Sequence, residues 1–159
     1  MNSIWYRRKF QVSDVWKKNR TLLHFDAVDY YCEVWINGQN VGCHKGGYTN
    51  FSFDITKYLT DDDNVLVVYA EDDTRSGQPR GKQSSEYHSA VACYTRVTGI
   101  WQTVWLENVP ETYIKSYKVV PDIDNSQIEV SVFFDGTLTD KILTAEAKYG
   151  GKSMGKCSV

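Results

Sequence analysis

Arg96-Val97-Thr98-Gly99-Ile100-Trp101-Gln102-Thr103-Val104-Trp105-Leu106-Glu107 joins a polar turn to a segment that is apolar on both sides. Side chains alternate along an extended backbone, so Ile100, Val104 and Leu106 share one face with Gln102, while Trp101, Thr103 and Trp105 share the other. Both faces then need cover, which predicts one strand over Ile100 to Glu107 inside a layered β structure. Outward from this stretch the period is two almost throughout. Ile4 to Phe10, Arg20 to Phe25 and Tyr30 to Ile36 read as strands, and Cys32 falls on the apolar side of the third. Asn37-Gly38 supplies the left-handed backbone of a tight hairpin, from which Gln39 to Gly42 returns. Phe51, Phe53 and Ile55 alternate with Ser52 and Asp54, and Val65 to Ala70 is the nearly unbroken β-former of a central strand.

Composition agrees with a small all-β protein. The chain has 159 residues, 14% of them aromatic, with 11 glycines and no amphipathic pattern long enough for a three-turn helix. A formal charge of −2, with lysines and arginines scattered, excludes the basic stripe of a nucleic-acid binder. No apolar run approaches the about 20 residues of a membrane helix, and the start Met1-Asn2-Ser3-Ile4-Trp5-Tyr6 lacks a signal-peptide core. Cys32, Cys43, Cys93 and Cys157 have neither Cys-x-x-Cys spacing nor paired histidines, so free buried thiols are expected and no zinc. Free thiols point to a reducing, cytoplasmic compartment.

Three separated motifs carry a resemblance: Val34-Trp35-Ile36-Asn37-Gly38, Gly46-Gly47-Tyr48-Thr49-Asn50-Phe51 and the Gly99 to Trp105 segment. In this order they resemble the sugar-binding domain of glycoside hydrolase family 2, which contains β-galactosidases, β-glucuronidases and β-mannosidases. The resemblance implies a jelly-roll, galactose-binding-like β-sandwich over residues 1–110, with its first strand missing. It also implies an incomplete immunoglobulin-like sandwich over 111–159, built from Tyr113 to Val120, Gln127 to Phe134 and Lys141 to Tyr149. Asn37, Gly38, Arg96, Gly99, Trp101 and Trp105 are its structural motif residues, and Arg96 is expected in a buried salt link. Cys93 stands where the β-galactosidase branch places a substrate-contacting aspartate, which argues against a lactase.

Retaining glycoside hydrolysis needs two carboxyls about 5 Å apart. In the resembled family they lie on a barrel beyond this segment, so no catalytic residue, metal or cofactor is expected here. Asp61-Asp62-Asp63 and Asp72-Asp73 read as solvated turn charges. The long polar stretch from Glu71 to Ala90 is the place for function, because loops of this length in compact domains carry it. Within it Arg80, Lys82 and Gln83 are the candidate substrate-binding residues. Their side chains offer hydrogen-bond groups suited to hydroxyl pairs or a carboxylate, and Gly81 permits close backbone approach. Trp16, Tyr48 and Tyr87 are candidate stacking surfaces, and His24 and His88 read as structural or solvent-facing.

The expected function is a non-catalytic, sugar-binding and buttressing part of a family 2 glycosidase. Its partners would be a β-glycoside or oligosaccharide, the parent's own catalytic barrel and, through exposed strand edges, a second copy. Two other readings stay open: a stand-alone carbohydrate-binding module, and an adhesion or scaffolding protein of two sandwiches.

Overall fold

Alternation in Tyr31-Cys32-Glu33-Val34-Trp35-Ile36 puts Cys32, Val34 and Ile36 on one side, and all three are buried. The computed structural model describes residues 2–73, 77–84, 86 and 88–159. They form two compact units, Met1–Val109 and Pro110–Val159. The first is an all-β sandwich of β1 (Ser3–Phe10), β2 (Arg20–Phe25), β3 (Val28–Asp29), β4 (Tyr31–Ile36), β5 (Gln39–Lys45), β6 (Phe51–Asp54), β7 (Asn64–Glu71), β8 (Gly99–Ile100) and β9 (Val104–Val109). One antiparallel sheet has the order β1-β7-β4-β5 and the other β6-β2-β9, while β3 and β8 form a two-residue ladder. Leu23 and Phe25 from β2 meet Val34 and Ile36 from β4 and Val68 and Ala70 from β7, so the core is filled from both sheets. Among the described residues no helix is long and apolar enough to cross a membrane.

The hairpin at Asn37-Gly38 forms with φ of 51° and 80°, and it does more than reverse the chain. Asn37 Oδ1 accepts from Val65 N at 2.8 Å, and its Nδ2 donates to Tyr58 O at 2.9 Å and to Asn64 Oδ1 at 2.8 Å. One turn residue thereby fixes the start of β7, an inner strand of its sheet.

The strand expected over Ile100 to Glu107 is not continuous or internal. It breaks at 101–103, and among the described residues β9 pairs with β2 alone, at the edge of its sheet. Trp101 and Trp105 remain 41% exposed each. The physical reason is their indole N–H groups: Trp101 donates to Gly47 O at 2.8 Å and Trp105 to Asp26 Oδ1 at 3.2 Å. Trp105 lies flat on His24, with ring centroids 4.0 Å apart, so one face is covered by a side chain instead of by another layer. A cleft of about 610 Å³ opens between edge strands β1 and β9, lined by Tyr6, Phe10, Leu66, Val104 and Leu106.

The second unit holds four strands where three were expected. The hairpin β10 (Tyr113–Asp122) with β11 (Gln127–Asp135) is followed by β12 (Thr144–Tyr149) with β13 (Lys152–Ser158). The last strand has no apolar alternation and is exposed along its whole length, which hid it from pattern reading. Its signal was the turn Gly150-Gly151, with φ of 55° and 79°. The cysteines also divide differently: all are free, but only Cys32 is buried, its thiol pushed up to about 12 by loss of hydration, and Cys43, Cys93 and Cys157 are exposed.

Candidate functional site

Asp29 interrupts an apolar run, Ala27-Val28-Asp29-Tyr30, at a point where β3 pairs with Gly99. A carboxyl sealed at 2% exposure must be partnered or neutral. Gln83 Nε2 donates to Asp29 Oδ2 at 2.6 Å, and Gln83 Oε1 accepts from Val97 N at 2.8 Å. The second oxygen, Oδ1, has no hydrogen-bond partner among the described residues. Asp72, just past β7, is equally sealed: Gln78 Nε2 donates to Oδ1, and Thr98 Oγ1 lies 3.5 Å from Oδ2. The reading of Asp72-Asp73 as solvated charges is therefore corrected for Asp72. Its backbone N–H bonds Asn2 O at 2.9 Å, which draws it inward as the chain leaves the sheet.

Loss of hydration raises the carboxyls of both Asp29 and Asp72 above the usual range. For Asp29 the Gln83 hydrogen bond and the Arg80 charge oppose the rise. For Asp72 the Asp29 charge adds to it, while Arg80, Thr98 and Gln78 oppose it. These two acids are the anchors of the long loop between β7 and β8.

Over the anchors lie three half-exposed rings. Gly81 has φ of 60°, and a Cβ there would fall 2.7 Å from Tyr94 Oη and 3.0 Å from Tyr48 Oη, so two phenols converge where only glycine fits. Backbone bonds from Ser84 N to Tyr94 O at 2.8 Å and from Tyr94 N to Lys82 O at 3.0 Å close the loop on itself. Trp101 meets the edge of Tyr48 at a centroid separation of 5.8 Å. Gly47 packs against the Asp29 carboxyl: a Cβ there would fall 2.6 Å from its free oxygen. Residues 46–50, 80–84, Tyr94 and Trp101 thus build one surface of aromatic rings with hydroxyl, amide and ammonium groups at its margin. Such a surface can stack a sugar ring and hydrogen-bond its hydroxyls.

The site residues expected from the sequence separate into different roles. Lys82 is exposed, Arg80 is half-buried with its charge acting on both anchors, and Gln83 has both ends of its amide engaged inside the loop. Arg96 is half-buried and Cys93 exposed. Tyr48 belongs to the cluster, whereas Trp16 sits in a single turn whose carbonyl accepts from Asn108 in β9. Tyr87 lies outside the described residues, and His88 is exposed. Asp29 and Tyr94 were not singled out from the sequence, and Asp72 was read only as a solvated turn charge. Asp29 alone had a visible signal, an acid inside a strand of apolar residues. Among the described residues no group of three or more His, Cys, Asp or Glu side chains could hold a metal ion.

Comparison with known proteins agrees with this architecture. The family profile "Glycosyl hydrolases family 2, sugar binding domain" matches residues 1–110. A β-galactosidase of Thermoanaerobacter pseudethanolicus is 35% identical over 131 residues, which are 80% of this chain and 17% of that protein. A putative β-glucuronidase of Formosa agariphila is 28% identical over 127 residues, 79% of this chain and 14% of that protein. The crystal structure of a putative β-galactosidase from Bacteroides fragilis superposes with a TM-score of 0.79 at 21% identity, covering 99% of this chain and 24% of that one. The chain therefore spans less than a quarter of the length of each of these relatives.

Proposed function

Because the chain belongs to the sugar-binding domain family of the family 2 glycosyl hydrolases, we propose that it serves a larger β-glycosidase as a non-catalytic part that contacts carbohydrate and supports the catalytic domain. The observation that carries this reading is the ring cluster of Tyr48, Tyr94 and Trp101 held over buried Asp29 and Asp72. Gln83 ties the loop to Asp29 from below, while Lys82 and an edge of each of the three rings remain exposed. In this arrangement Gln83 and Arg80 position the loop, and Lys82 with the aromatic edges meets a β-glycoside or oligosaccharide. The apolar cleft between β1 and β9 supports the second half of the reading, since its lining gains burial only when another part of the parent covers it. Residues 110–159 are read as part of an immunoglobulin-like domain joining this sandwich to the rest.

The hydrolytic carboxyl pair would then come from the parent, and the 159-residue chain alone would release no aglycone from β-galactosides, β-glucuronides or β-mannosides. In the parent, Lys82→Ala and Trp101→Ala are each expected to lower kcat/KM by about 1–3 kcal/mol of transition-state binding, with the exposed substitution Cys43→Ser as the neutral control. Steady-state kinetics on the three variants decides it. Unchanged kcat/KM in both Lys82→Ala and Trp101→Ala would leave the loop without a role in substrate contact.

A further inference from the structure

The outer face of the β1-β7-β4-β5 sheet carries an aromatic cluster that neither the core nor the loop site uses. Register places Trp5, Tyr69 and Glu33 in one row across three strands and Arg7, Val67 and Trp35 in the next. Trp5 stacks on Trp35 at a centroid distance of 5.6 Å and 29° between planes, and it meets Tyr69 at 4.8 Å. Despite both contacts Trp5 remains 63% exposed. Hydrogen-bonding groups interleave with the rings: Tyr69 Oη donates to Glu71 Oε2 and Tyr31 Oη to Glu33 Oε1, each at 2.8 Å.

Size and charge select the occupant. Three strands span only about 10 Å between outer axes, whereas a stable protein interface covers about 800 Å² on each partner. A protein seated here would also strip water from Arg7, Glu33 and Glu71 without replacing their hydrogen bonds. A sugar chain does neither: its C–H faces stack on rings and its hydroxyls go on bonding the charged groups. The carboxylates beside the rings disfavour an anionic sugar. Trp5 lies on β1 with its ring outside the core, beside Tyr69 of the neighbouring β7.

We propose that this face is a second carbohydrate-binding site, on which the exposed ring of Trp5, backed by Trp35, stacks one ring of a neutral β-linked oligosaccharide while Glu33, Glu71 and Arg7 bond the hydroxyls of that ring and its neighbours. It is separate from the loop site and does not depend on the loop's role. The test is titration of the 159-residue chain with cellohexaose and with β-1,4-galactohexaose, following the indole N–H resonances of its five tryptophans. The Trp5 and Trp35 signals shift saturably with at least one hexasaccharide, and Trp5→Ala weakens binding at least tenfold with an unchanged thermal transition. Glu33→Gln, which keeps every ring, weakens it about threefold and serves should Trp5→Ala fold poorly. Absence of any saturable shift at Trp5 and Trp35 up to about 10 mM of both sugars overturns the proposal. So does a shift of these signals with protein concentration alone, which would make the face a contact between copies of the chain.

Discussion

Alanine at Gly99 is expected to destabilise the sandwich by about 2–5 kcal/mol, the sum of a left-handed backbone imposed on an L side chain and of overpacking. Gly99 has φ of 93°, and a Cβ there would run into the Tyr6 hydroxyl and the Ile4 methyl. Neither can move freely. Tyr6 Oη accepts from Ile100 N at 3.1 Å, and Ile4 and Tyr6 pack against the core. Gly99 also pairs with Asp29, so the displacement reaches the anchor of the loop. Urea unfolding of Gly99→Ala beside Cys43→Ser measures the effect, and coincident midpoints would show that the close approach at Gly99 has no energetic weight.

Replacing Gln83 by alanine is expected to cost about 2–4 kcal/mol, because it removes the acceptor of Val97 N–H and the one side-chain hydrogen bond that Asp29 makes among the described residues. The size of the loss should depend on pH. Burial raises the carboxyls of Asp29 and Asp72, so the folded state holds protons that the unfolded chain releases. Their favourable contribution is complete below the unfolded value of about 3.9 and is lost as pH rises through the raised folded values. Gln83 favours the charged form of Asp29, so its removal raises that carboxyl further and widens the window. Unfolding free energies at about pH 4 and about pH 8 test this: the penalty of Gln83→Ala grows toward the higher pH. A penalty equal at both, or larger in acid, would mean that Asp29 is ionised and satisfied by other means.

Elements whose partners are near in the sequence, or whose pattern is regular, were legible. Asn37-Gly38 announces its turn through backbone chemistry alone, and the alternation in Phe51 to Ile55 follows from one half-buried face. Trp101 and Trp105 misled because an indole counts as apolar until its N–H finds an acceptor. Those acceptors, Gly47 O and Asp26 Oδ1, lie 54 and 79 residues away and no local pattern reveals them. Lys152 to Ser158 pairs with β12 through its backbone while its side chains stay in solvent, so periodicity had nothing to report.

The candidate site was half legible for a related reason. Arg80, Lys82 and Gln83 stood out because polar groups around a glycine suit ligand contact, and the loop does form a closed, anchored unit with Gly81 at φ of 60°. Which of the three faces inward could not be read, because that depends on Asp29, 54 residues before Gln83. Asp72 became a buried anchor where a surface charge was expected because Gln78, six residues on, and Thr98, 26 residues on, both reach its carboxyl.

The proposed function puts this loop against the sugar bound by a larger glycosidase. A crystal structure of the whole parent enzyme with a β-glycoside inhibitor in its catalytic pocket tests it most directly. Lys82 or the rings of Tyr48, Tyr94 and Trp101 are expected at the pocket, with a polar atom of the loop within about 3 Å of the bound sugar or bridged to it by one water. A loop turned away from the pocket, with the inhibitor held by other domains alone, would contradict it.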